Sequence, residues 1–201
     1  MPNYNLQLVN NSPQPWTFYL YQTLPGQPPN SFSTAWFARQ VMPGSQIPFS
    51  WSTDYSMVWG QGGQIMPGLT FMAAQTVQAD LQAANTSTFG GQPMPSLSMP
   101  VQGPPPGSLM INADASVPPY QYAVGIGMSQ TTTCIVSAAP NMAFAFNASS
   151  PTYWIAASMS GLQVGTVLNV GAISMNAEVT FPPGIYQCIC TLNPNNQWSI
   201  Q

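Results

Sequence analysis

Apolar and polar residues alternate with a period of two along most of the chain. Tyr4, Leu6 and Leu8 are separated by Asn5 and Gln7, and Trp16, Phe18 and Leu20 by Thr17 and Tyr19. The rhythm returns in Ile47, Phe49 and Trp51, in Tyr55, Met57 and Trp59, in Tyr122, Val124, Ile126 and Met128, and in Tyr186, Cys188, Cys190 and Leu192. Successive side chains of an extended strand point to opposite faces, so each run predicts a half-buried β-strand. Pro-Gly pairs at 25–26, 43–44, 67–68, 106–107 and 183–184 supply turns. Proline presets the first central torsion of a type II turn and glycine the positive φ of the second. Hairpins are expected at Pro43-Gly44, joining 34–41 to 46–51, and at Pro67-Gly68. Helical periodicity is poor, with no more than a turn or two within 76–84. About a dozen short strands broken by such turns predict an all-β fold, an antiparallel β-sandwich of jelly-roll type. No internal repeat is strong enough for a solenoid or propeller.

One stretch breaks the rhythm. Between 92 and 119 there are eight prolines, including Pro104, Pro105 and Pro106. Proline lacks the ladder donor, so this density cannot sit inside a sheet. The reading is a single domain over 1–201 with a Pro-rich connection at 92–119 in polyproline II form, which also suits an assembly arm lying on a neighbouring subunit. If the domain has two packed halves, they would divide near 90–120.

Composition changes the picture more than any motif. The 201 residues include five charged side chains, Arg39, Asp54, Asp80, Asp114 and Glu178, with no lysine and no histidine. An ordinary domain is about 25% charged. No basic patch exists to neutralise phosphates, so nucleic-acid binding is excluded. There is no imidazole base, no lysine nucleophile and no His ligand, and three cysteines alone leave a zinc site short of its fourth ligand. No cofactor is expected. The four carboxylates offer no spacing that selects a catalytic pair, and a serine or cysteine nucleophile would lack its histidine. The expected fate of these carboxylates is to accept backbone N–H bonds in turns, and the expected answer on enzymatic activity is no. Arg39 is expected in a structural ion pair, with Asp54 or another carboxylate, because an unpaired buried charge is costly.

The first 30 residues hold no Lys or Arg and no long apolar run, and nowhere do 18 apolar residues run together. Cytoplasmic synthesis without a signal peptide or transmembrane helix is the expectation, with release from the cell left open. Cys188 and Cys190, two apart on a strand, should point the same way as small buried residues.

Without charge, nothing of long range keeps copies apart, and no lysine blunts an open sheet edge. The leading expectation is therefore a self-assembling structural protein, a filament or ordered array whose partner is itself, with 12 methionines adding adaptable contact area. The alternative is a lectin-like module binding neutral carbohydrate through Asn, Gln and exposed tryptophans. Trp16, Trp36, Trp154 and Trp198 are the candidate ligand or interface aromatics. A membrane-active β protein comes third.

Tyr4-Asn5-Leu6-Gln7-Leu8-Val9-Asn10-Asn11-Ser12, Trp16-Thr17-Phe18 and Tyr21-Gln22 resemble the start of the RhiA family, rhizosphere-expressed proteins of plant-associated bacteria. The likeness runs on through Ala35-Trp36-Phe37, Phe49-Ser50-Trp51, Asp54-Tyr55-Ser56, Val58-Trp59, Pro67-Gly68 and Ala74-Gln75, covering roughly the first 80 residues. The resemblance implies a bacterial protein and brings no catalytic residue set with it.

Overall fold

The structure, a computed structural model, describes residues 3–103 and 105–201. The chain is all-β, with seventeen strands and a single 3-10 turn at Val170–Ala172 among the described residues. It begins with β1 (Asn3–Asn10), β2 (Trp16–Thr23), β3 (Phe32–Ser33), β4 (Phe37–Val41) and β5 (Gln46–Ser52). Next come β6 (Tyr55–Gln61), β7 (Gln75–Ala79), β8 (Thr86–Gly90), β9 (Ser96–Leu97) and β10 (Ser108–Ala113). β11 (Tyr122–Met128), β12 (Thr131–Ser137) and β13 (Ala143–Asn147) follow, and the chain ends with β14 (Thr152–Ser158), β15 (Asn176–Val179), β16 (Gln187–Leu192) and β17 (Trp198–Ile200).

These strands build two sandwiches. In one, the sheet β17-β16-β1-β5 faces the sheet β15-β14-β2-β4. Its core interleaves Leu6, Leu8, Phe49 and Trp51 with Trp16, Phe18, Leu20, Tyr153 and Ile155. In the other, β13-β10-β8-β9 faces β3-β12-β11-β6-β7. There Phe89, Leu109, Ile111 and Phe146 meet Met57, Trp59, Val124 and Ile126. The second sandwich is continuous in sequence apart from β3. The first is split, with β1, β2, β4 and β5 from one end of the chain and β14 to β17 from the other. Apart from the excursion to β3, the crossings lie at 52–55 and 147–152, so the chain does not pass between sandwiches within 90–120.

The two sandwiches have the same connectivity under circular permutation. Numbering β6 to β13 as positions 1 to 8, the continuous sandwich has sheets 2-1-6-7 and 4-3-5-8, with β3 added at one edge. Reading the split sandwich as β14, β15, β16, β17, β1, β2, β4, β5 gives the same two orders. Pairing sense agrees throughout: all pairs are antiparallel except positions 3 and 5, which are parallel in both, β16 with β1 and β8 with β10. Backbone bonds repeat as well. Asn10 N donates to Ser45 O at 3.0 Å, and Ala113 N to Met142 O at 2.8 Å; Asn11 N donates to Leu192 O, and Asp114 N to Phe89 O.

These bonds align 37–54 with 134–151 without a gap. Pro43-Gly44 falls on Pro140-Asn141, and Gly44 and Asn141 both take positive φ, 74° and 57°. Asn is the non-glycine residue that best tolerates this region. The Pro43-Gly44 turn is therefore not the expected hairpin. It carries the chain from β4 in one sheet to β5 in the facing sheet, because Ser45 and Gly44 bond to Asn10 of β1 rather than letting β5 fold back on β4. The glycines of all five Pro-Gly pairs do have positive φ, from 64° to 91°. The 76–84 segment is strand β7 followed by a turn, with no helix.

The sandwiches meet near an internal two-fold. Gln22 and Met128 occupy equivalent positions, and Gln22 Nε2 reaches Met128 Sδ at 3.6 Å. The loops after β6 and β14, also equivalent, pair through Thr70 and Thr166. Trp36 closes the seam, fully buried, with its indole N–H donating to Met128 O at 2.9 Å.

Candidate functional site

The structure separates the two residues expected to form an ion pair. Arg39 lies on β4, opposite Phe18, and is exposed. Asp54 sits in the β5–β6 turn and accepts a bond from Ser52 Oγ. No ion pair forms among the described residues. The reason is position: β4 is a sheet edge, so the guanidinium reaches water and needs no counter-ion. By alternation with Phe37 and Val41 its Cβ is on the sandwich side of β4. An inward-set charge on an edge strand obstructs pairing with another strand.

Asp80 and Asp114 serve turns, whereas Glu178 lies exposed on edge strand β15. Asp80 Oδ1 accepts from Gln82 N and Ala83 N at 2.9 and 2.8 Å, and Asp114 Oδ1 from Ser116 Oγ and N at 2.6 and 2.8 Å. Both carboxyls are held below the usual 3.8, Asp80 by the Ala83 and Gln82 amides and Asp114 first by the Ser116 hydroxyl. The described residues contain no cluster of three or more metal-ligating groups, and the three cysteines are free and buried. No helix of the described residues is long and apolar enough to cross a membrane.

The four tryptophans named as candidate ligand or interface aromatics are packed into their own chain. Trp16 and Trp36 are buried, and Trp154 and Trp198 half-buried. Every one of the four indole N–H groups is satisfied within the chain: Trp16 by Ser12 Oγ, Trp36 by Met128 O, Trp154 by Thr23 Oγ1 and Trp198 by Met175 O. Trp154 stacks on Tyr21 at 6.2 Å, and Trp198 meets the ring of Phe18 edge-on at 4.9 Å. Large rings in alternating strands were drawn into the core because that is where their area is buried.

The Pro-rich stretch is tied to its own sandwich. Pro104 lies outside the described residues; Pro105 and Pro106 are exposed. The fully buried Asn85 grips both sides of the turn, its Oδ1 accepting from Gly103 N at 2.7 Å and its Nδ2 donating to Pro105 O at 3.1 Å. Val101 exchanges backbone bonds with Thr86. Residues 98–103 and 105–107 thus belong to the β9–β10 connection. At the corresponding place in the split sandwich, between β17 and β1, stand the two chain ends.

Sequence reading missed the outer face of β2. By alternation Tyr19 falls on the polar side of that strand, with Tyr21 two residues on, yet every residue from Trp16 to Gln22 is buried. The 159–175 connection folds over this face, bringing Leu162, Leu168, Val170 and Ile173 against Tyr19 and Tyr21. Between that connection, β2 and residues 67–70 runs a groove of about 840 Å³. Tyr21 Oη accepts from Asn176 Nδ2 at 2.7 Å, whereas Tyr19 is 4% exposed and its hydroxyl meets no partner among the described residues. The signal for this face was two tyrosines alternating with core residues on a strand long enough to be central.

The surface also carries apolar groups. Among the described residues fourteen large apolar side chains are exposed, and seven are methionines, 42, 66, 72, 94, 99, 142 and 159, all in connections between strands. Of the eight strands at sheet ends, only β4 with Arg39 and β15 with Glu178 bear a charge.

What these features define is a permuted double β-sandwich whose few ionic groups are spent on turns and two edge strands. The chain belongs to the RhiA family, whose model matches residues 1–201. Protein RhiA of Rhizobium leguminosarum bv. viciae is 40% identical over 199 residues, 98% of this chain and 85% of that protein. The likeness therefore spans the whole chain rather than its first 80 residues. No solved structure matches it.

Proposed function

We propose that this chain is a non-enzymatic structural protein that assembles with copies of itself into a filament or ordered array. The observation that carries the reading is the pairing of exposed methionines with uncharged edges. Methionine has three rotatable bonds and a polarisable sulfur, so it fits irregular partner surfaces. Seven such side chains on connections, beside six edge strands without a charge, give contacts that bury apolar area without desolvating ions. Assembly of this kind responds weakly to salt, because there are few charges to screen. Pro48 within the edge strand β5 marks one edge that resists strand addition.

The test is sedimentation and negative-stain microscopy of the purified full chain. Large particles with a regular repeat are expected, with the same repeat at low and high salt. A monodisperse monomer at tens of micromolar ends the reading. Arg39→Val sharpens it, since it replaces the edge guanidinium with the residue found at the equivalent, covered position, Val136. Stability should move by less than about 0.5 kcal/mol, while light scattering should rise sooner and further than in the unaltered chain.

A further inference from the structure

The groove over β2 is built in only one of two sandwiches with the same connectivity. Tyr19 pairs with Ala38 and Ala156; its counterpart Gly125 pairs with Ile135 and Val58. Tyr21 likewise corresponds to Gly127. In the continuous sandwich this outer face is lined by small residues and closed by Ile65 and Phe71 packing on Val58, Ala123 and Ile135. In the split sandwich the corresponding connection is longer, and it leaves an opening of about 840 Å³ above a tyrosine. That volume lies within the roughly 300–1,000 Å³ of small-molecule sites.

We propose that this groove is a binding site for a neutral polyhydroxylated ligand, a segment of uncharged carbohydrate, anchored by the Tyr19 hydroxyl. The chemistry of the walls selects the class. None of the charged residues lines the groove, so neither an anion nor a cation finds a counter-charge there. Hydroxyls and amides are frequent, including Ser158, Ser160, Gln163 and Asn169, and they alternate with apolar groups such as Leu162. A purely apolar ligand would cover these polar groups without bonding them, which is costly. Sugar rings offer both surfaces at once, hydroxyls for the amides and C–H faces for the apolar side chains. The Tyr19 side chain is buried, but its hydroxyl, which meets no partner among the described residues, is not sealed in and lines the groove, where an entering ligand can bond it. Its pKa is pushed up to about 12 by burial and by Tyr21, so it stays protonated and able to donate.

This site is independent of assembly, and its test reads binding directly. The full chain is applied to an array of neutral and acidic oligosaccharides, and the best neutral binder is titrated calorimetrically. Binding of a neutral oligosaccharide is expected, with affinity reduced about tenfold by Tyr19→Phe, the loss of one buried hydrogen bond. Gln163→Ala, at an exposed wall position, should weaken the same ligand without changing the melting temperature. Because Tyr19 bonds nothing in the chain, Tyr19→Phe should melt as the unaltered protein does. Binding unaffected by both substitutions, binding confined to acidic sugars, or no binding across the array would each overturn the proposal.

Discussion

The two sandwiches share a connectivity but not a chain path. The continuous one is made between residues 55 and 148, so all its pairs except that with β3 form within that stretch. The split one pairs β1 with β16 and β2 with β14 across most of the chain length. Closing longer loops costs more entropy, though only slowly with length, and non-local pairing slows folding. Their cores differ accordingly. The continuous sandwich has one aromatic trio, Trp59, Phe89 and Tyr122. The split sandwich has a web in which Tyr4, Trp36, Trp51, Tyr153 and Phe181 touch one another at centroid distances of 4.9 to 6.2 Å. These rings come from both ends of the chain, so the web holds together the half that covalent continuity does not.

The comparison breaks most sharply at Trp36. Trp36→Ala removes a fully buried ring from the web and leaves Met128 O without its donor. A loss of about 3–5 kcal/mol is expected. It should fall unequally, so that hydrogen exchange in β1, β2 and β14 to β16 rises before exchange in β10 and β11. Equal acceleration in both sandwiches would show that they unfold as one unit and that the web does not set the weaker half apart.

A smaller effect tests the outer faces. A Cβ added to Gly125 would lie 2.1 Å from Cys134 O and 2.9 Å from the Ile135 Cα. Backbone cannot swing aside as a side chain can, so Gly125→Ala is expected to cost about 3 kcal/mol. Denaturant titration of this variant beside Tyr19→Phe measures the contrast, because the equivalent position of the split sandwich holds a phenol whose hydroxyl bonds nothing. If Gly125→Ala is tolerated within about 0.5 kcal/mol, the close contact of β11 with β12 is looser than the register requires.

Much of this was legible in the sequence. The alternating runs at Tyr4–Leu8, Trp16–Leu20, Ile47–Trp51 and Tyr122–Met128 are all strands, since a period of two survives whatever the sheets do next. The Pro-Gly turns were read correctly in torsion and wrongly in consequence at Pro43-Gly44. Turn chemistry is local, whereas the choice between a hairpin and a crossing to the facing sheet is decided by Asn10, far away in sequence. The repeat was invisible for two reasons. Aligning 37–54 with 134–151 leaves few identities, Pro43 with Pro140, Phe49 with Phe146 and Ser52 with Ser149, because either sandwich needs only apolar alternation. The permutation also places one copy at both ends of the other. Of the site, the scarcity of charge was plain, but exposure was not. Aromatic runs say that rings are buried somewhere, and Trp16 and Trp36 lie in the core, Trp154 and Trp198 at its margin, while a tyrosine on the face taken as polar floors the groove.

The smallest expected effect concerns the turns that end β1 and β10. Ser12 bonds to Asn10 Oδ1 and Ser116 to Asp114 Oδ1, each through both N–H and hydroxyl, so both sandwiches use the same kind of turn, built on an amide at the last residue of β1 and on a carboxylate one position later, just past β10. Asp114 is held below its ordinary 3.8 by these bonds, and Asp80, also in the continuous sandwich, is lowered in the same direction. A carboxyl with a depressed folded pKa contributes stability that is fully present above its unfolded value and is lost as pH falls through the folded one. Acid below about pH 4 should therefore loosen the β8–β10 end of the continuous sandwich, while the Asn10 turn, having nothing to titrate, keeps its bonds. Asp114→Asn transplants the neutral version. Stability at pH 7 should hardly change, because the amide oxygen accepts the same two bonds, and the decline between pH 4 and pH 2 should become shallower. Denaturant midpoints of the two proteins at pH 7 and pH 3 decide it. An unchanged acid decline would mean that protonation of Asp114 costs the turn nothing, and that the amide and the carboxylate are interchangeable at this place in the fold.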